Sequence, residues 1–338
     1  MQTKHSRFFV AALSVMLLLL ALPRTIEAQV VWNATVGAQS KDMGRQVIAF
    51  LPNELWIHEG DSIDWTSASG DIHTVSFFVT GQPSADFTVG CPGFSPSGVS
   101  FNGVNCVSAP PLVAGQSFSI KFPVVGNFRM ICLVHTHMTG VVHVLPASAT
   151  LPHDQEFYDK QAADQQRSLL MDLDKSRENR SHADMDKMLA MHVIPGNARV
   201  AAGVGEMAAT GAGFQSLSVV RFLDGDVRIR VGDTVEWTNL DPAMPHTVTF
   251  GTDPANPGPP SGNVSFDADG AGHATLNFVG DSAHSGIFGA APQDQVGVPQ
   301  SPPAYTVFRV TFLQPGTYDY ICALHDNLGM VGKVTVLP

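Results

Sequence analysis

Cysteine, histidine and methionine fall together twice in this chain. Near residue 130 the sequence reads F-R-M-I-C-L-V-H-T-H-M and supplies Cys132, His135 and Met138. Near residue 320 it reads Y-D-Y-I-C-A-L-H-D-N-L-G-M and supplies Cys322, His325 and Met330. A further histidine lies upstream of each cluster in matching context, I-H-T-V-S-F at His73 and P-H-T-V-T-F at His246. One thiolate, two imidazoles and one thioether make a trigonal sulfur–nitrogen set with a weak axial methionine. Soft sulfur favours Cu(I) and imidazole suits both Cu(I) and Cu(II), so the chemistry such a set supports is one-electron cycling of copper.

A lone C-x-x-H or a lone histidine is weak evidence, but here the whole neighbourhood recurs. Phe50-Leu51 lies ten residues before Gly60-Asp61, and Phe222-Leu223 lies ten before Gly232-Asp233. I-D-W-T (63–66) and V-E-W-T (235–238) follow, each before its single histidine. Gly126 and Gly316 each stand six positions before the cysteine, and each unit closes on V-x-V-L-P. An internal repeat of this kind means two copies of one structural unit.

The segments between these landmarks must position the ligands. In the first unit Val47–Phe50, Leu55–Ile57, Ser62–Trp65, Thr74–Phe77 and Ser117–Phe122 alternate apolar and polar residues and are rich in β-branched and aromatic side chains. That period reads as half-buried strands, and many short strands without helical periodicity suggest a two-sheet sandwich. The second unit repeats the pattern around a Pro/Gly/Asp-rich insert at about 251–303, which reads as surface loop. Residues 153–192 differ: charged, with Leu169, Leu170, Leu173, Met185, Met188, Leu189 and Met191, they read as one or two helices, either a spacer or a cover across both sandwiches. His182, Met185, Met188, Met191 and His192 offer soft ligands, but three-residue steps are ordinary helix-core spacing, which is the favoured reading. His58 and His143 read as surface histidines, since Arg230 and Thr335 replace them in the second unit.

The chain has 338 residues, enough for two ordinary cores. Its start has the layout of an export signal: Lys4 and Arg7, a hydrophobic run from Phe8 to Leu22, and Ile26-Glu27-Ala28 as a cleavage site before Gln29. The run is short for a membrane span, and no later stretch is long enough. The net charge of −11 becomes about −13 without that segment, which disfavours nucleic acid and anionic lipid as partners. Cys91 and Cys106 lie outside the metal sets in one loop-rich insert and are expected to pair after export, stabilising by about 3 kcal/mol on the chain-entropy view. The rival is two free thiols. A four-cysteine zinc site is disfavoured by the unrelated contexts.

With these residues in view, each unit resembles a cupredoxin, the blue-copper fold of plastocyanin, pseudoazurin and amicyanin. The second unit has C-x₂-H-x₄-M, the plastocyanin and pseudoazurin spacing; the first has C-x₂-H-x₂-M, the amicyanin spacing. The resemblance implies an all-β fold, two Greek-key sandwiches at 29–146 and 198–338 joined by a helical linker at 147–197, after a signal peptide at 1–28. It implies two type 1 coppers per chain, one on His73, Cys132, His135 and Met138, the other on His246, Cys322, His325 and Met330. It places Thr74 and Thr247 as braces on the ligand loops. It makes His135 and His325 surface gateways for electrons, with His137 as an extra residue inside the first loop.

The function so implied is electron transfer in an exported protein, periplasmic or secreted, with redox partner proteins of unknown identity. A site closed by protein ligands has no open position for a substrate. An oxidase or a nitrite reductase is the rival, but those enzymes flank the ligand cysteine with histidine and carry further His-x-His pairs. Here Ile131 and Leu133 flank Cys132, Ile321 and Ala323 flank Cys322, and the single His-x-His, at His135 and His137, is already committed. Copper storage or delivery, with the methionine-bearing helix as acceptor, is the third reading.

Overall fold

The computed structural model describes residues 29–79, 91, 93–135, 137–179, 198–290 and 305–338, with backbone only over 172–179. The segment 1–28 and the His/Met stretch 182–192 lie outside the described residues.

Each unit is a β-sandwich. The first unit's smaller sheet runs Glu54–His58, Thr139–Leu145, Gly126–Ile131, Ser76–Phe77, Val107–Ser108. The second unit's runs Asp226–Arg230, Val331–Leu337, Gly316–Ile321, Thr249–Phe250, Ala283–His284, the same order with the same partners. Alternation builds these layers. Ser62–Ser67 and Glu54–His58 bury every second residue, so Ile63, Trp65, Leu55 and Ile57 are fully enclosed. Trp65 and Trp237 fill equivalent places in the two interiors.

The facing sheet does not stop at the unit boundary. It has eleven strands and runs through both units. At the seam Gly213–Leu223 pairs antiparallel with Arg45–Leu51, with Ser216 opposite Ile48 and Leu217 opposite Val47. Two sandwiches joined only by a linker would each leave an open sheet edge there; pairing the edges satisfies both.

The helix Gln155–Asn179 covers the seam. Leu169 packs with Ala38, Val47, Ala49 and Leu51 of the first unit and Leu217 of the second. Tyr158 Oη donates to the Trp56 carbonyl (3.0 Å) and accepts from the Trp56 N–H (2.7 Å). Of the two roles open for this segment, the helix takes that of a cover over both sandwiches.

The insert of the second unit differs from the expectation of a surface loop. It contributes strands Ser265–Phe266, Gly272–Leu276 and Ala283–His284, which extend both sheets. Ala274, Leu276, Ala283 and Phe288 are buried, so short apolar residues spaced among Gly and Asp suffice for strands that lie against an existing core. In the first unit's insert Cys91 and Cys106 form a disulfide, with Cα atoms 5.8 Å apart.

Candidate metal centres

The upstream histidine of each group is set by one backbone bridge. His73 exchanges two backbone hydrogen bonds with Leu112 (3.1 and 2.7 Å), and His246 does so with Phe288 (both 3.0 Å). The other residues come from the loop after Gly126–Ile131 or Gly316–Ile321. Cys132 N–H donates to the Met138 carbonyl and Cys322 N–H to the Met330 carbonyl, each at 3.0 Å. The loops differ by two residues, yet the same clasp closes both. In the longer loop the two extra residues are taken up by the turn Asp326–Leu328, which ends on Gly329 at φ 89°, a left-handed conformation suited to glycine.

Two groups result. The ligand atoms of His73, Cys132 and His135 lie within 4.8 Å of one another, as do those of His246, Cys322 and His325. These six residues, Met138 and Met330 are all buried. His73 Nδ1 has no hydrogen-bond partner. His246 Nδ1 and His325 Nδ1 approach to 3.2 Å, and His325 Nδ1 lies 3.4 Å from Cys322 Sγ. Buried nitrogens without a partner are rare, and His73 Nδ1 is one; in the second group two ring nitrogens crowd each other and a sulfur, as side chains around a bound cation do.

Burial alone would raise the Cys132 thiol, but His135 and His73 hold it well below its ordinary value. Burial acts the same way on Cys322, and His325 and His246 outweigh it. The sulfur is therefore poised as a thiolate, the form that binds metal. Thr74 and Thr247 brace it. Their N–H groups point at Cys132 Sγ (3.4 Å) and Cys322 Sγ (3.3 Å). Their hydroxyls accept from the N–H of Leu133 and of Ala323, both at 2.7 Å.

The outer side of each upstream histidine is less alike. Ser69 Oγ lies 2.7 Å from His73 Nε2, whereas Asp241 Oδ2 stands 3.9 Å from His246 Nε2. Over each ring passes a bulge in the unit's first strand, at Gly37 (φ 68°) and Gly203 (φ 79°). A β-carbon at either glycine would overlap the imidazole. Ser69, Asp241 and these glycines were not among the residues singled out in the sequence. The glycines carried a signal, since glycine inside a strand marks a bulge or a close approach.

A copper-binding description, "Copper binding proteins, plastocyanin/azurin family", matches residues 211–337, almost all of the second unit. The major chloroplast plastocyanin isoform of Arabidopsis thaliana is 29% identical over 115 residues, covering 34% of this chain and 51% of that protein, about half its length. Plastocyanin from Solanum tuberosum is 27% identical over 115 residues, covering 34% of this chain and 86% of its own. The second unit is thus similar to the plastocyanin/azurin copper-binding proteins. Among solved structures, a reduced amicyanin variant aligns at 18% identity and TM-score 0.24 over 34% of this chain and 82% of its own. A purple cupredoxin from Nitrosopumilus maritimus aligns at 16% and 0.23, over 34% of this chain and 99% of its own. In this chain the two His–Cys–His groups fit two copper ions.

The expected surface gateways are not at the surface. His135 is 1% exposed and His325 3%. His325 lies against Asp71 of the first unit, at 3.7 Å, and His135 against the same carboxylate. The ligand loops are tied across the seam: Thr139 Oγ1 accepts from Phe214 N–H (2.9 Å), and Arg221 donates to the Leu328 carbonyl (2.7 Å) and to the Asp42 carbonyl (2.8 Å). His137 stands edge-on to Phe214 at 5.7 Å, so the extra histidine of the first loop also faces the seam. His58 and His143 play no part in either group; His143 contacts Asn127 (2.6 Å) and Glu54 (3.1 Å).

Proposed function

We propose that this protein is an exported electron carrier with two type 1 coppers. His73, Cys132, His135 and Met138 hold one; His246, Cys322, His325 and Met330 hold the other. Copper supplies a one-electron couple, and the protein supplies a closed, preformed cage with thiolate hydrogen bonds that tune it. The observation that carries this reading is the pair of fully buried His–Cys–His groups, each with its thiolate braced and no face open for a substrate. No oxidase or nitrite reductase chemistry is assigned, because the residues flanking both cysteines are aliphatic. The signal-like start supports export to the periplasm or beyond, and among the described residues no helix is long and apolar enough to cross a membrane. The partners are redox proteins that give and take single electrons; the acidic balance suits basic ones.

Metal analysis with electron paramagnetic resonance of the copper-loaded protein tests this. Two coppers per chain with narrow hyperfine splitting are expected. A stoichiometry of one, or a component with wide splitting, would contradict the reading.

A further inference from the structure

One buried acid belongs to neither ligand set and touches both. Asp71 lies two residues before His73, and its side chain is 7% exposed. Its Oδ2 stands 2.8 Å from His135 Nε2 in its own unit. Its Oδ1 stands 3.7 Å from His325 Nε2 in the other unit. Oδ1 also accepts the Ile72 N–H at 2.8 Å, but Oδ2 has no donor in line with it, so the approach to His135 is one of charge rather than a directed hydrogen bond. Each loop histidine turns Nδ1 toward its own cysteine, at 3.7 Å for His135 and 3.4 Å for His325, and Nε2 toward Asp71. The second unit has no acid in register; Met244 occupies that place.

A carboxylate this deep is strongly unfavourable unless it is paired. Among the described residues its charge partners are the Nε2 sides of the two imidazoles. An imidazole bound to metal through Nδ1 must carry its proton on Nε2, and an acceptor there fixes the tautomer and the ring orientation. In this chain a single carboxylate faces the Nε2 side of two rings from two units, at 2.8 and 3.7 Å.

We propose that Asp71 couples the two metal centres: one carboxylate, held between His135 and His325, orients both loop histidines and sets the charge felt at both groups. This rests on the electron-carrier reading above and deepens it. Asp71 is a positioning residue, not a ligand. It also accounts for the burial of both expected gateways, since the rings meet a shared anion instead of solvent. The two groups then communicate by the route imidazole–carboxylate–imidazole, and electrons from partners must enter elsewhere.

The test is Asp71→Asn in the full, copper-loaded chain, followed by spectroelectrochemistry. Removing an anion near both groups favours Cu(I) at each, so both centres should shift toward the reduced ion by about tenfold, or about 59 mV. Ser69→Ala removes the hydroxyl beside His73 Nε2 (2.7 Å) and its contact with the Asp71 backbone carbonyl (3.3 Å) but keeps the Asp71 carboxylate, and should move the first centre alone. A shift confined to one centre in Asp71→Asn, or none, overturns the coupling. Two coppers with unchanged type 1 spectra in the parent protein separate that outcome from failure of the electron-carrier reading. If the variant does not fold, the unaltered protein still decides. In its diamagnetic Cu(I) form, nitrogen-edited NMR should show slowly exchanging Nε2 protons on both His135 and His325. Rapid exchange at either ring contradicts a shared buried acceptor.

Discussion

The two metal groups agree at the ligands and differ one layer out. Both have the same Cys N–H to Met carbonyl clasp, the same threonine against sulfur and the same glycine bulge over the upstream imidazole. Beyond that layer His73 meets a serine hydroxyl, and His246 faces the carboxylate of Asp241, which is fully buried. His135 lies nearer the shared Asp71 than His325 does. The two units thus share the inner layer of each group and differ in the layer around it. Outer-layer charge and hydrogen bonding adjust a copper potential without altering the ligands, so the two centres are expected to be unequal.

That comparison can be broken most bluntly by removing one sulfur. Cys132→Ser should abolish colour and copper at the first group and leave the second intact, with Cys322→Ser doing the reverse; absorption and metal content check this. Loss of both in a folded protein would show one shared site. Next in size is the bulge. Gly37→Ala forces an unfavourable left-handed φ and overlaps His73, so copper affinity should fall at the first group alone, with a stability loss of roughly 1–3 kcal/mol. Gly203→Ala should do the same at the second, and selective bleaching during chelator titration reads both.

The seam offers a third contrast, between units that are merely tethered and units that share a sheet. Leu217→Ala removes a buried side chain that meets both units and the covering helix, and should cost about 2–4 kcal/mol. Denaturant unfolding followed by tryptophan fluorescence should remain one transition in the parent protein and split or broaden in the variant. The smallest expected effect is Asp241→Asn. Asp241 Oδ1 accepts from Ala243 N–H (2.9 Å) and Met244 N–H (3.1 Å), which asparagine can preserve. The potential of the second centre should rise by a few-fold in its Cu(I)/Cu(II) ratio, below about 59 mV, with the first centre unmoved.

The residues of the two His–Cys–His groups and most strands were legible because they are local. C-x₂-H spacing places two ligands on one loop, and alternation around Trp65 or Phe118 names a buried face. What was hidden depends on how the units meet. Nothing in the sequence around Asp71 announces a second histidine 254 positions away. The burial of His135 and His325 was likewise missed, because a solvent-facing gateway in one sandwich becomes interior once a second sandwich docks on it. The insert strands were missed for another reason: Gly272–Leu276 is too short and glycine-flanked to show its period, and its neighbour Val307–Phe312 decides it.

A reductive titration of the copper-loaded chain, followed in its visible absorption, tests the central claim most directly. Two electrons per chain, taken up in two resolvable one-electron waves, are predicted for two complete and unequal copper centres. Uptake of one electron, or a single wave fitting two identical centres, would contradict it.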